Sequence, residues 1–334
     1  MTIMKIGLTF NLRSAAVGRD ISDPCLLEEA EFDSVGTIEA LHTAIEKLGY
    51  TVDRVGDFFD LQKKLVEGER WDLVFNIAEG RYGRSREAQI PAVLEAYNIP
   101  YTFSDSLTLA VSLDKSVTKK IIRDAGLQTP DFFTIKSERD LGKIKFNELS
   151  FPLFVKPNSE GTGKGVNPNS IVNTRDELTK IVQELLRTYK QPVLIEEFLP
   201  GREFTVGIWG TGDKAQAISV LEIKLLEKAE QRVYSFVNKE LCEELVKYEL
   251  VTDENIVKDA FDIAVKVYNT LECRDAGRVD LKMDQEGKLQ FLEINPLAGL
   301  NPTHSDLPMA CSAVGISYEK LIQTIINSAV ERIN

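Results

Sequence analysis

Histidine is almost missing from this chain of 334 residues: His42 and His304 are the only two. With no Ser-His-Asp arrangement in view, triad-type nucleophilic catalysis has no cast of residues. Cysteine is nearly as scarce. Cys25, Cys242, Cys273 and Cys311 show no C-x-x-C spacing, which reads as reduced, structural thiols of a cytoplasmic protein rather than a disulfide framework. No run approaches about 18 consecutive apolar residues, so nothing in the sequence is expected to span a membrane. Met1 to Phe10 holds a short apolar run that soon meets Asn11 and Arg13, and fits a strand better than a signal peptide. Basic residues are the minority, 40 against 52 acids for a net charge of −12, which argues against binding nucleic acid or anionic membrane. Any phosphate must therefore be gripped locally. Internal repeats, low-complexity tracts and Pro/Gly/Ser linkers are also absent.

What is present is an ordinary globular composition, 43% hydrophobic and 28% charged, so the whole chain is expected to fold. Its length exceeds the size at which one core usually stops growing, which implies two or three closely packed domains. The opening third reads β-α-β-α-β. Ile3 to Phe10 is a buried strand; Val35, Ile38, Leu41, Ile45 and Leu48 recur at helical spacing before Gly49; Thr51 to Val55 and Leu73 to Ile77 are further strands. That pattern implies a parallel sheet with right-handed crossovers. Helical sequence runs from Ser112 to Asp124, and a second, smaller α+β unit contains a helix from Glu177 to Tyr189. Strands Leu194 to Phe198, Glu203 to Trp209 and Gln216 to Glu222, an irregular acidic stretch, the helix Ile256 to Leu271, two further strands and a terminal amphipathic helix follow. The expected domains are 1–113, 114–199 and 200–334.

The apolar strand Leu153 to Lys156 leads into Pro157, Asn158, Ser159, Glu160, Gly161, Thr162, Gly163, Lys164, Gly165 and Val166. Glycines at alternate positions give a flexible loop whose N–H groups can fold over phosphates, or else a plain hairpin turn. It is not a Walker A loop, because Asn158 stands where the first Gly belongs and Gly165 where Ser or Thr would bind Mg²⁺. A lysine emerging from a buried strand usually has an anion to meet, which singles out Lys156. Nearer the C-terminus, alternation places Arg278, Asp280 and Lys282 on one face of a strand, and Glu293 and Asn295 on one face of the next. If the two strands pair around the turn at Gln285, Glu286 and Gly287, then Asp280, Glu293 and Asn295 converge as hard oxygen ligands for Mg²⁺. The alternative is polar faces that simply meet solvent.

Together the segments resemble one family. Lys156-Pro-x-x-Glu-Gly-x-x-x-Gly-Val, Glu196-Glu-Phe-Leu-x-Gly-x-Glu203, Gly277-Arg-Val-Asp280 and Glu293-Ile-Asn295-Pro-Leu-Ala-Gly-Leu look like the D-alanine–D-alanine ligase family of the ATP-grasp superfamily, in order and at fitting distances over roughly residues 70 to 334. The resemblance implies a three-domain α/β ATP-grasp fold with an N-terminal parallel-sheet, Rossmann-like domain. It implies ATP and two Mg²⁺ ions, with Mn²⁺ as a substitute, small-molecule substrates, a homodimer as is common in that family, and a place in peptidoglycan biosynthesis. Lys115 and Lys156 would neutralise the α and β phosphates under the loop of Gly161, Thr162 and Gly163. Glu196, Glu197, Phe198 and Leu199 would line the adenine, Glu203 would take the ribose hydroxyls, and Asp280, Glu293 and Asn295 would hold the metal. Lys239 resembles the family's mobile-loop lysine that contacts the transferring phosphoryl group, and Arg278 with the Gly299 backbone would stabilise the tetrahedral oxyanion. A carboxylate is a poor electrophile, so phosphorylating it creates a leaving group that an amine displaces. Such chemistry needs charge neutralisation and positioning more than a nucleophilic side chain.

Three departures from the family pattern fall on the substrate side. Thr162-Gly163-Lys164 replaces a Ser-Ser pair, Asn76-Ile-Ala-Glu-Gly replaces a histidine-glycine start, and the segment Asn11 to Gly36 has only Glu31 to offer as partner for a donor ammonium. The loop around Ser305 remains available to a carboxylate. His304 reads as a substrate contact or a solvent-facing loop residue, and His42 as structural. A ligase joining a different amino acid to a peptide or small natural-product acid, and a non-catalytic nucleotide-binding regulator, therefore stay open beside D-alanine dimerisation.

Overall fold

The computed structural model describes residues 3–14 and 27–333; Cys25 and the middle of the Arg13 to Ala30 stretch lie outside the described residues. Strands β1 (Lys5–Thr9), β2 (Thr51–Gly56) and β3 (Leu73–Asn76) form a parallel sheet in the order β2-β1-β3. The helix Val35–Lys47 crosses from β1 to β2. It starts where the Ser34 hydroxyl accepts the Thr37 N–H at 3.1 Å, and Gly49, at φ +92°, supplies the left-handed turn that ends it. Its Ile38, Leu41 and Ile45 pack on Ile6, Leu8 and Phe75. The last helix, Tyr318–Glu331, inserts Leu321, Ile322, Ile325 and Ile326 into this same core. At about 1.5–3 kcal/mol for each fully buried side chain of this kind, the C-terminal helix closes a core that the N-terminal sheet and the helix Val35–Lys47 share with Ala276, Leu297 and Leu307.

The other two sheets are antiparallel. One contains β4 (Phe132–Ile135), β5 (Leu153–Pro157), β6 (Ile171–Val172) and β7 (Val193–Glu197) in the order β4-β7-β5-β6. It is backed by the helix Arg175–Tyr189, whose Leu178, Ile181, Val182 and Leu185 form one apolar stripe against Val155, Val193 and Ile195. The third contains β8 (Glu203–Trp209), β9 (Gln216–Leu225), β10 (Val246–Leu250), β11 (Ala276–Met283) and β12 (Leu289–Asn295), ordered β10-β9-β8-β11-β12. Ala260, Ala264, Val267 and Tyr268 of the helix Glu254–Thr270 cover one face of it. Among the described residues, no helix is long and apolar enough to cross a membrane.

Three local expectations need correction. Two helices, Ser106–Leu113 and Lys115–Asp124, stand where one was expected across Ser112 to Asp124. Asp114 breaks them: its backbone is extended, and its carboxylate accepts the Val117 N–H at 3.0 Å to cap the second helix. The acidic stretch expected to be irregular holds the short helices Phe236–Glu240 and Cys242–Leu245 and the edge strand β10. In β10 the charges Lys247 and Glu249 mask the alternation, as is common on a sheet edge. Strand β7 ends at Glu197, which leaves Phe198 in the loop beyond it.

Candidate active site

Between the two antiparallel sheets lies a cavity open to solvent. Strand β5 contributes Lys156, the end of β7 and its loop contribute Glu196, Glu197, Phe198 and Leu199, and β8 contributes Glu203. Phe154, Val166, Val233 and Leu292 make part of the wall apolar, while Asp280, Lys282 and Glu293 make another part charged. Such a slot can take a flat ring at one end and a polyanion at the other.

A buried charge network supports it. Glu196, only 2% exposed, lies 2.9 Å from the Lys119 ammonium and 2.8 Å from that of Lys156. Burial opposes ionisation of Glu196, but the two ammoniums outweigh it and hold the carboxyl below its ordinary range. Burial lowers Lys119, Glu196 raises it and Lys156 lowers it again, leaving it at about 8. Sequence reasoning passed over Lys119, although a lysine on the same face of its helix as the buried Ile122 was the available signal. Lys282 reaches Glu203 at 2.7 Å.

Strands β11 and β12 pair Asp280 with Glu293 and Arg278 with Asn295. The Thr205 hydroxyl donates to Asp280 at 2.8 Å, while the Arg278 guanidinium bonds Asp280 and lies 3.4 Å from Asp306. Burial works against the Glu293 carboxylate, yet Lys115, Lys156, Lys239 and Arg278 hold it well below the usual range. For Asp280, burial and the neighbouring Glu293 win over Arg278, and the carboxyl is pushed up. Two carboxyl groups facing across a strand pair, beside an Asn295 amide whose buried nitrogen lacks a partner among the described residues, form an oxygen set that suits a hard divalent cation.

A second cavity adjoins the first and shares Lys115, Tyr234, Lys239 and Glu293 with it. Arg278, Asn295, Gly299 and Ser305 line one side of it, and Glu31, Gly161 and Thr162 another. Lys239, on the helix Phe236–Glu240, sits 4.6 Å from the centre of the Tyr234 ring at the junction. The glycine loop is pinned from both sides. The Gly161 N–H donates to Glu31 at 2.7 Å, and a Cβ on Gly163, whose φ is +69°, would fall 2.8 Å from the Phe236 nitrogen. Ser305 accepts the Asn301 N–H at 3.0 Å. His304 lines this cavity, whereas His42 lines neither and accepts from Arg54 at 3.3 Å.

Glu31 enters the site through a residue that sequence reasoning missed. Arg86 grips both of its carboxylate oxygens, at 2.8 and 2.7 Å, and donates to the Ser159 carbonyl at 2.9 Å. Burial opposes the Glu31 charge, but Arg86 and Lys164, with the Gly161 N–H, overcome it and lower the pKa. Asp33, Glu79 and Glu87 also line the cavity, and among the described residues none of their carboxyl groups bonds a cation. Burial raises Asp33 and Glu87 to about 7, and burial together with Glu87 and Glu31 raises Glu79 well above the ordinary value.

Comparison with known proteins shows the family and the fold. Residues 121–327 match a family model described as D-ala D-ala ligase C-terminus. A D-alanine–D-alanine ligase of Aquifex aeolicus is 36% identical over 293 residues, covering 88% of this chain and 94% of that protein. The corresponding ligase of Thermotoga maritima is 33% identical over 297 residues, 87% of this chain and 90% of that one. The crystal structure of the Bacillus anthracis D-alanine–D-alanine ligase complexed with ATP superposes with a TM-score of 0.75 over 98% of both chains at 24% identity, which establishes a shared ATP-grasp fold. The chain therefore belongs to the D-alanine–D-alanine ligase family of ATP-dependent ligases.

Proposed function

We propose that the first cavity binds ATP, that the second binds a carboxylate and an amine, and that the two are joined through an acyl-phosphate. The observation that carries this reading is the junction, where Lys115, Lys239 and Glu293 face both cavities. In it, a donor carboxylate oxygen attacks the γ-phosphorus and ADP leaves. The amine nitrogen then attacks the acyl carbon and phosphate departs. Phe198 packs on adenine, the backbone from Glu196 to Leu199 reads its edge, and Glu203, oriented by Lys282, takes the ribose. Lys115 and Lys156 neutralise the α and β phosphates, and Lys239 meets the transferring phosphoryl group. Mg²⁺ held by Asp280, Glu293 and Asn295 would offset phosphate charge. Arg278 and the Gly299 N–H stabilise the tetrahedral oxyanion, and the pinned loop of Gly161, Thr162 and Gly163 excludes water from the acyl-phosphate. On this reading the three sheets mark domains 1–113, 114–199 and 200–334, with the last helix reaching back to the first domain.

On the substrate side, Glu31 faces the donor ammonium and Ser305 the acceptor carboxylate. Asp33, Glu79 and Glu87 add acid that D-alanine alone does not match. Burial holds them largely uncharged, and a donor or acceptor that brings a positive charge beside them would draw them back to the ionised form, so they favour such a ligand over one that leaves them unpaired. Phosphate release and product mass with D- and L-amino acids, singly and in pairs, test both levels. A basic or mixed pair should outperform D-alanine alone. Efficient D-alanyl-D-alanine formation at sub-millimolar D-alanine, abolished by Glu31→Gln, would refute the altered specificity, and no amino-acid-stimulated phosphate release at all would refute ligation.

A further inference from the structure

We propose that Cys242, Glu243 and His304 form a binding site for a soft divalent ion of the Zn²⁺ type at the rim of the second cavity. Among the described residues they are the one group of three His, Cys, Asp or Glu side chains whose ligand atoms all lie within 4.8 Å of one another. The Cys242 sulfur is 3.5 Å from His304 Nδ1, Nδ1 is 2.9 Å from Glu243 Oε1, and the sulfur is 3.7 Å from Glu243 Oε2. Tetrahedral zinc, with bonds of about 2.3 Å to sulfur and about 2.0–2.2 Å to nitrogen and oxygen, requires ligand-to-ligand edges of roughly 3.3–3.6 Å. The S–N edge already has that length. The other two contacts run through different carboxylate oxygens, Nδ1 to Oε1 and sulfur to Oε2, so the exposed Glu243 side chain rotates to present one oxygen to the ion, within the 4.8 Å that already encloses all three ligand atoms.

Both sides of the site are held in advance. The Cys242 thiol is packed among Ile223, Ala229, Leu245 and Val246. The His304 loop is tied by Asn301, whose side-chain oxygen accepts the Thr303 and His304 N–H groups, both at 3.1 Å, and whose nitrogen donates to Thr37 at 3.0 Å. Ligand positions fixed by the fold lower the reorganisation that binding requires. One sulfur, one imidazole and one carboxylate select zinc-like ions, whereas Asp280, Glu293 and Asn295 offer only oxygen and suit magnesium. Three protein ligands leave a fourth position for water, and side-chain exposures of 38% for His304 and 61% for Glu243 leave it open to solvent. An ion bound there displaces the thiol proton and ties the segment carrying Lys239 to the loop carrying Ser305. The rim of the cavity is thereby clamped.

The test is a Co²⁺ titration of the chelator-treated full chain in excess Mg²⁺, which occupies oxygen-only sites. One equivalent should give a thiolate-to-cobalt charge-transfer band and tetrahedral ligand-field bands, and Zn²⁺ should displace it. Cys242→Ser should remove the charge-transfer band. Glu243→Gln and His304→Ala, both at solvent-accessible positions where only about 1 kcal/mol of stability is involved, should weaken binding at least about tenfold, the smallest loss typical even of outer-shell groups. Absence of the band in the unmodified protein, its persistence in Cys242→Ser, or unchanged affinity in both exposed variants would overturn the proposal.

Discussion

Replacing Arg86 by methionine removes the cation from a pair whose side chains are each only 7% exposed. Leaving one charge of a buried pair without its partner costs about 3–5 kcal/mol. Glu31 keeps the Gly161 N–H at 2.7 Å and the nearby Lys164. A hydrogen bond to a charged group retains about 1.5–3 kcal/mol of its own, so the expected loss lies at the lower end, about 3 kcal/mol near neutral pH. The pH dependence distinguishes this cause from a simple cavity. With Arg86 gone, burial is opposed only by Lys164 and the Gly161 N–H, so the folded Glu31 pKa rises from its lowered position. The deficit is then complete above the variant's folded pKa, shrinks as pH falls through it, and is gone only below the lowered pKa that Glu31 has in the unmodified protein. The deficit should therefore shrink on acidification. The double variant Glu31→Gln/Arg86→Met leaves no orphan charge, and should be more stable than Arg86→Met alone by about 1–2 kcal/mol. Urea midpoints followed by tryptophan fluorescence, at unchanged slope, measure all three. A deficit under about 1 kcal/mol, one that stays constant with pH, or a double variant no better than the single one would refute the assignment of Glu31 as a charge held by Arg86.

Further outcomes follow from the same geometry. Glu293→Gln should keep the fold and lower kcat about 10²–10³-fold, by analogy with removing one group that stabilises transition-state charge; near-normal turnover at saturating Mg²⁺ would count against the oxygen set. Gly163→Ala meets both a left-handed φ and the Phe236 nitrogen, so phosphate release should exceed product formation as the acyl-phosphate leaks to water, and tight coupling in that variant would argue against a lid. Cys242, working with Glu243 and against burial, raises His304 to about 9 from 6.5. Its stabilisation is full below the lower value and lost through the higher, and with a side chain 38% exposed it amounts to about 1 kcal/mol after solvent screening. The imidazole shifts in an NMR titration report it, and a midpoint at the ordinary value would refute it.

The parts of the site that were legible in the sequence share a physical basis: their geometry is local. Alternation puts Asp280 and Glu293 on defined faces, and a tight turn at Gly287 brings the two strands back on each other, so the pairing follows from residues within one hairpin. Lys156 and the glycine loop are likewise contiguous. What was illegible depends on contacts between remote segments. Arg86 belongs to the polar run Gly83-Arg84-Ser85-Arg86-Glu87, which reads as surface. Only the fold shows that it reaches Glu31, 55 positions away, and that Glu31 in turn reaches Gly161, 130 positions away. The terminal helix shows the same limit, because its apolar face announced that it packs but not that it closes the core beneath the helix Val35–Lys47. Periodicity specifies a face, and only the competition among all apolar faces specifies a neighbour. The two cavities divide along this line. The residues read as gripping the nucleotide lie in short motifs, whereas the second cavity is walled by long-range pairs such as Arg86 with Glu31 and by acids on separate segments that bond no cation among the described residues. A chain built this way can exchange one substrate for another without disturbing a single nucleotide motif. That is why the family was readable from the motifs, while the charge of the substrate has to be argued from Asp33, Glu79 and Glu87.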